Sequence, residues 1–486
     1  MSKRAHSEDF TDVLIIGAGL SGIGAAYHLQ EKCPDKTYAI LEAREQMGGT
    51  WDLFKYPGIR SDSDMYTLGF SFNPWKDPKA IADGPSILKY IKDTASKFGI
   101  DKHIRYSHTV IGANWIEEDA LWEVTINIKE QKETVLKCRF LFVCSGYYDY
   151  DQGYDPLKGT ASVFNGPVVH PQHWPEDLDY TNKKVVVIGS GATAVTLVPE
   201  LAKKAEKVTM LQRSPTYILN LPREDKIANR LKRILPAGWA HSLSRWKNIL
   251  FSLGLYKVSR KWPGKIRNFI QNQAQHQLGA DYDMRHFTPT YDPWDQRLCL
   301  VPDNDLFLSI REGKAQMVTD TIKEFLPNGI ALNSGKVLDA DIIITATGLK
   351  IKLLGGMDVK IGNKKTDTSS LHVYRGVMFS DIPNMAIAVG YTNASWTLKC
   401  DLNGQYVARL LNFMDKQGYR TCTPRFDPER YTSEPLLDFD AGYIKRALDV
   451  LPKQGSEHPW KIYQNYLKDM WTLKYSKLTD NSLEFK

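Results

Sequence analysis

A chain of 486 residues exceeds one ordinary hydrophobic core, so two or three lobes are expected. Its 42% apolar content includes no run of the roughly 18–20 residues that a membrane span needs, and Met1 to Asp12 is polar without a secretory core, which sets the expectation of a cytoplasmic protein. Six cysteines (Cys33, Cys138, Cys144, Cys299, Cys400, Cys422) form no C-x-x-C pair, arguing against a redox dithiol or a zinc site, so no metal is expected; the net charge of +7 is localised rather than spread.

In chain order, the first element is an apolar strand, Val13 to Ile16, running into Gly17-Ala18-Gly19-Leu20-Ser21-Gly22. This is G-x-G-x-x-G opening a helix, where small residues let the backbone approach a pyrophosphate at the positive end of the helix dipole. A second apolar strand, Tyr38 to Leu41, ends at Glu42, twenty residues after Gly22. A carboxylate there accepts the ribose hydroxyls of an adenosine and repels a 2′-phosphate, which points to FAD. Next comes Gly48-Gly49-Thr50-Trp51, continuing to Tyr56-Pro57-Gly58-Ile59-Arg60-Ser61-Asp62. A buried-looking strand, Phe140 to Val143, then ends at Cys144-Ser145-Gly146. The segment Phe164 to Pro175 reads F-x-G-x-x-x-H-x-x-x-W-P, with Phe164, Gly166, His170 and Trp174 at its specified positions.

The nucleotide pattern recurs. Val185 to Ile188 precedes Gly189-Ser190-Gly191-Ala192-Thr193-Ala194, and the next strand, Val208 to Leu211, leads to Arg213 and Ser214, nineteen and twenty residues past Ala194. A guanidinium and a hydroxyl there suit a 2′-phosphate, so the second site is expected to take NADPH. From Lys226 to Arg267 there are eleven Lys or Arg and no Asp or Glu, leaving −4 on the rest of the chain. Ile227, Leu231, Ile234 and Leu235, then Leu243, Trp246 and Leu250, recur at helical spacing, predicting two amphipathic helices parted at Pro236-Ala237-Gly238. Two expectations stay open: a lid whose apolar stripe packs on the NADPH domain, or peripheral contact with an anionic membrane, given Trp239, Trp246, Tyr256 and Trp262 among the cations. No recognition motif accompanies the charge, so no nucleic acid partner is expected. Ile342 to Ile344, ending at Thr345-Ala346-Thr347-Gly348, and Met385 to Val389, before Gly390-Tyr391-Thr392-Asn393, complete the buried strands.

The fold class expected is therefore α/β, with two Rossmann-like dinucleotide-binding domains (FAD and NADPH) and a helical insertion in the second. The expected division is 1–150 for the first part of the FAD domain, 151–180 for a linker, 181–339 for the NADPH domain with its insertion at about 222–285, and 340–486 for the rest of the FAD domain.

The F-x-G-x-x-x-H-x-x-x-W-P segment and the G-G-x-W-x-x-x-x-Y-P-G-x-x-x-D pattern over Gly48 to Asp62 resemble the Baeyer-Villiger monooxygenase family, and Trp294-Asp295-Gln296-Arg297-Leu298-Cys299 is similar to its ethionamide-activating branch. The resemblance runs from Asp12 to about residue 405. It implies an FAD- and NADPH-dependent enzyme that inserts one atom of O2 into ketones through a C4a-peroxyflavin, giving esters, and that also oxidises sulfides or thioamides. It implies Arg297 as the active-site cation, with Asp62 orienting it. It places Gly49, Thr50, Trp51, Asp62 and the backbone of Val110 at FAD, beside Gly17, Gly19, Ser21, Gly22 and Glu42. Arg60 and Ser61 join the second glycine turn, Arg213 and Ser214 at NADPH, and His170 takes a conformational role. Many relatives carry lysine where this chain has Gln296, which leaves the 2′-phosphate to Arg213 and Ser214. The alternatives are a flavin monooxygenase that oxygenates nitrogen or sulfur without ketone activity, disfavoured by Trp174, and a flavin-bound redox sensor.

Overall fold

The computed structural model describes residues 10–296, 298–436 and 442–486. Five parallel strands form the centre of the first sheet, in the order Ile104–Arg105, Tyr38–Leu41, Phe10–Ile16, the end of Lys132–Val143, and Met385–Ile387. Val13 and Ile15 face the core under the helices Leu20–Lys32 and Trp396–Gln417, while Leu14 and Ile16 face a second core, which is why this strand reads as unbroken apolar sequence. An antiparallel arm, His108–Ile116 and Leu121–Ile128 with the start of Lys132–Val143, extends the sheet.

The second sheet is parallel throughout, ordered Ala315–Thr319, Lys207–Gln212, Lys184–Ile188, Ile342–Thr345 and Val168–Val169. The two-Rossmann expectation is met, but the expected boundaries need correction. Ile342–Thr345 pairs with Lys184–Ile188, and Val168–Val169 pairs with Ile342–Thr345, so both belong to the second sheet rather than to the returning first domain and the linker. The apolar run at 342 completes a sheet whose glycine turn lies some 150 residues earlier, which spacing along the chain does not reveal. The two passes between the sheets, Tyr148–Gly153 and Leu349–Ile351, lie antiparallel side by side.

Helix Trp396–Gln417 is fastened along Leu20–Lys32. His28 Nε2 lies 2.8 Å from Asp401 Oδ1, and Ser71 Oγ donates to the same oxygen at 3.0 Å. Burial raises the Asp401 pKa, but the His28 contact and the hydrogen bonds outweigh it and bring the group down to about 2. The residues after 417, about which the sequence says little, clasp this domain. Cys422–Pro424 pairs with Leu483–Phe485, Arg375 Nη2 donates to Asp480 at 2.7 Å, and buried Lys399 pairs with Asp469 at 2.9 Å.

The basic insertion forms three helices, Lys226–Ile234, Ala237–Lys261 and Pro263–Leu278, rather than two. Pro236 caps the second, and Pro263 starts the third. The expected stripe does not pack on the NADPH domain: Ile227, Ile234, Leu243, Trp246 and Leu250 are exposed. Ala237–Lys261 turns its other face to the first domain, where Arg245 Nη1 donates to Tyr66 O and Gly69 O at 2.8 Å each, and Asn248 Nδ2 donates to Asp64 at 2.9 Å.

His241 on this inner face is buried, and burial, helped by neighbouring Arg245, lowers its pKa from 6.5 to about 4. A folded pKa below the unfolded one means that stability is fully present above pH 6.5 and is lost as pH falls from 6.5 toward 4. The loss amounts to about 3 kcal/mol. The stability gap between the wild type and His241→Leu is expected to narrow by that amount between pH 7 and pH 4, as read from denaturant midpoints at each pH. An unchanged gap would remove His241 from this account.

Candidate active site

At the first glycine turn, Gly17 has φ +101°, and a Cβ there would lie 2.7 Å from Cys144 O; a Cβ on Gly22 would lie 1.9 Å from Gly17 O. Only hydrogen fits, which is how strand, turn and helix close up. Glu42 is buried at the end of Tyr38–Leu41, accepting from Ala18 N at 2.7 Å and Arg44 N at 3.0 Å. Burial raises its pKa, and the two backbone donors oppose that shift. Gly49 lies against the same turn, an added Cβ there being 3.3 Å from the Gly19 Cα, and Thr50 Oγ1 is 3.1 Å from the Tyr150 hydroxyl. Trp51 is half-buried and packs on the first core. Val110 lies two residues along the strand from His108, whose N donates to Glu42 O.

Three residues expected at cofactors engage protein partners through their side chains. The Ser21 hydroxyl accepts from Trp396 Nε1 at 3.0 Å and donates to Cys400 Sγ at 3.3 Å, so only its backbone faces the turn. Arg60 is ion-paired with Asp305 at the start of helix Asp305–Arg311, and Ser61 Oγ donates to Ser63 O. These side chains lock the loop and bridge the domains.

The Gly48–Asp62 segment links the two turns. Its glycines touch the first, while Tyr56 packs into the core of the second domain and hydrogen-bonds with Thr193. Gly58 lies against Thr196 and Glu200 of helix Ala192–Leu201, where an added Cβ would approach Glu200 Cβ to 3.0 Å. Asp62 is half-buried just beyond, close enough to Tyr56 to raise the pKa of its phenol, although burial does most of that.

At the second turn Gly189 has φ +142°, and a Cβ there would lie 2.2 Å from Ala346 O. Gly191 and Ala192 are exposed, with space around Gly191, and no side chain caps the helix that Ala192-Thr193-Ala194 begins. The amides of this turn, Ser190 among them, thus surround an open helix N-terminus. Arg213 and Ser214 are exposed just past the end of Lys207–Gln212.

The F-x-G-x-x-x-H-x-x-x-W segment docks on the paired crossing strands. Phe164 is buried beneath the second sheet, and a Cβ on Gly166 would lie 2.2 Å from Asp341 O. His170 Nδ1 accepts from Gln172 N at 3.2 Å and Nε2 lies 3.3 Å from Gly348 O, so the neutral ring with its proton on Nε2 serves both. Burial lowers its pKa, favouring that form. The ring covers Gly153, and Gln172 Nε2 donates to Asp149 O at 2.8 Å. Trp174 is half-buried against the second-domain core.

Arg297 lies outside the described residues. The loop leading to it is clamped by the insertion, where Arg260 Nη1 donates to Asp295 at 2.6 Å and Arg267 pairs with Asp292, and by Tyr217 ahead of the insertion, whose Oη donates to Tyr291 O at 2.7 Å.

The residues of the first turn fit FAD. Glu42 presents a buried carboxylate at the strand end, facing glycines leave room for phosphates, and, among the described residues, Asn393 Oδ1 and Thr397 Oγ1 are buried without a hydrogen-bond partner at the start of helix Trp396–Gln417. Thr397, Tyr150 and the Tyr56–Thr193 contact escaped the sequence reading. Ser395 before Trp396 is an N-cap signal that could have marked the helix start.

The chain matches the family model described as flavin-binding monooxygenase-like over residues 11–414. It is 55% identical over 476 residues to the FAD-containing monooxygenase EthA of Mycobacterium tuberculosis (strain ATCC 25618 / H37Rv), covering 98% of this chain and 97% of that protein. It is 48% identical over 480 residues to AlmA of Acinetobacter baylyi, described as a probable FAD-binding monooxygenase, covering 98% and 96%. Among solved structures, an oxidized steroid monooxygenase bound to NADP superposes with a TM-score of 0.76 at 21% identity, covering 98% of this chain and 99% of the other. An ε-caprolactone-bound cyclohexanone monooxygenase gives 0.74 at 19% identity, covering 98% and 100%.

Proposed function

Because the chain belongs to the flavin-binding monooxygenase-like family, we propose that it is a Baeyer-Villiger monooxygenase, inserting one oxygen atom of O2 beside the carbonyl of a lipophilic ketone to give an ester. The observation that carries this reading is the Gly48–Asp62 segment, which touches both nucleotide turns and ends at Asp62, and so supports a single site served by both nucleotides. Each turnover consumes one NADPH, one proton and one O2; the second oxygen atom leaves as water.

Bound FAD supplies the redox chemistry, accepting two electrons from NADPH and passing them to O2. The protein holds the parts. Glu42 receives the FAD ribose, and the amides of both glycine turns hold the pyrophosphates. Asp62 orients Arg297, whose permanent charge stabilises negative charge developing on oxygen. The ion pairs of the insertion position the Arg297 loop. His170 takes a conformational role, reporting the approach of the two crossing strands. Sulfides and thioamides are further substrates proposed for this site, and peripheral membrane contact is proposed for the stretch Lys226 to Arg267.

The deciding assay is turnover of 2-octanone under ¹⁸O2. Ester carrying one labelled oxygen per NADPH consumed is the expected product. NADPH loss without ester, together with oxidation of an added sulfide, would instead place the enzyme among the nitrogen- and sulfur-oxygenating monooxygenases.

Arg213 is exposed and makes no ion pair among the described residues, so its charge stands ready for a 2′-phosphate. Arg213→Ala is expected to raise KM for NADPH about 10- to 100-fold, the loss of one charge-assisted contact, with kcat and the KM for NADH little changed. Equal effects on both coenzymes would disprove the role.

A further inference from the structure

A soluble amphipathic helix buries its apolar face and exposes its polar one. Helix Ala237–Lys261 departs from this over its first half, where its buried face mixes Ala240 and Ile249 with polar side chains. His241, Ser244 and Arg245 are buried against the first domain, while Trp239, Leu243, Trp246 and Leu250, spaced four, three and four residues apart on one face, stand in solvent. Trp239 is 69% exposed.

A second apolar ridge lies beside it. The last helical segment, Tyr466–Met470 continuing through the wider π-turn Trp471–Tyr475, exposes Leu467, Trp471 and Tyr475 at spacings of four, and Trp471 is 68% exposed. The edge-to-face contact of Trp246 with Tyr466, centroids 6.0 Å apart, joins the two ridges. The second ridge is rigidly mounted from below. Asp469 pairs with Lys399 and accepts from the Tyr391 hydroxyl at 2.7 Å, and Arg409 Nη2 donates to Ser476 O at 2.8 Å.

The charges that the Lys226–Arg267 stretch itself carries are all positive. Lys226, Arg230, Arg233, Lys257, Lys261 and Lys265 are exposed and form no ion pair among the described residues. Lys261 and Lys265 flank the Trp262 ring, and Lys468 and Lys474 of the second ridge lie over the rings of Tyr463 and Tyr475. The carboxylate of that ridge, Asp469, is buried and neutralised. Exposed aromatic and aliphatic side chains interleaved with unpaired cations match the interfacial zone of an anionic bilayer: acyl chains take the apolar side chains, indoles lie at headgroup level, and lysines meet phosphates.

We propose that the Ala237–Lys261 and Tyr466–Tyr475 ridges form one platform that docks the enzyme on an anionic phospholipid surface. This rests on the peripheral contact proposed for Lys226 to Arg267 and adds to it a C-terminal half that the charge pattern does not mark.

The test is co-sedimentation of the FAD-loaded enzyme with vesicles of phosphatidylcholine alone or mixed with phosphatidylglycerol, at low and high salt. Binding to the mixed vesicles only, weakened by salt, is expected. Trp471→Ser and Trp239→Ser should each reduce that binding about tenfold, with FAD content and turnover of a water-soluble ketone unchanged. Lys226→Glu combined with Arg230→Glu and Arg233→Glu should abolish it. Loss on charge reversal with full binding by Trp471→Ser would overturn the two-part platform while leaving the basic-stretch contact standing. No vesicle binding by the wild type would overturn both, as would concentration-dependent self-association through Trp239 and Trp471 without lipid. Ketone turnover, read separately, reports on the catalytic assignment alone.

Discussion

Arg297→Ala is expected to lose ester formation by about 10²- to 10³-fold while keeping its FAD and its rate of NADPH-driven flavin reduction, because a fixed charge at a water-excluded site acts where negative charge develops. Hydride transfer from NADPH depends on the two nucleotide turns, and neither contains this residue. Anaerobic stopped-flow reduction, FAD content and ester yield from 2-octanone separate the two halves of the cycle. Arg297→Lys should restore only part of the yield, since an ammonium supplies the charge without the planar fork that a carboxylate such as Asp62 can orient. A normal ester yield from Arg297→Ala would refute the assignment.

Gly22→Ala is expected to be the most damaging single methyl group in the first domain. Its Cβ would lie 1.9 Å from the Gly17 carbonyl oxygen, and no flexible side chain is there to yield. Helix Leu20–Lys32 would have to withdraw from the strand it follows, opening the His28–Asp401 contact on its far side. We expect about 3 kcal/mol of lost stability, at the upper end of single substitutions, and enzyme purified without flavin. Gly191→Ala in the second motif is the contrast. Its Cβ meets nothing within 4 Å, so the fold and FAD should survive while NADPH binding weakens. Thermal midpoints and the flavin absorbance of both variants check this; retention of FAD by Gly22→Ala would show that the turn tolerates expansion.

The two nucleotide turns were legible because each is built from neighbours in sequence. Strand, glycines, helix and the acid or arginine twenty residues on are one covalent unit, and sterics at Gly17, Gly22 and Gly189 leave little choice of residue. Side-chain partners were a different matter. Ser21 meets Trp396 and Cys400, and Arg60 meets Asp305, hundreds of residues away, so these partnerships have no local signature. The same reason hid the membership of Ile342–Thr345 in the second sheet, since an apolar strand carries no mark of the neighbour it will pair with.

The insertion makes the division sharpest. Periodicity at Leu243, Trp246 and Leu250 determined a helix with an apolar face, and the eleven cations determined its charge. Which face turns inward was decided by the first domain, where the carbonyls of Tyr66 and Gly69 and the carboxylate of Asp64 capture Arg245 and Asn248 and so hold the polar face down. Sequence thus determined the two glycine turns and the chemistry they invite, because those depend on bonded neighbours. Tertiary structure alone decided how the turns are bridged, how the Arg297 loop is clamped and which apolar side chains meet solvent, because those depend on contacts between segments far apart in the chain.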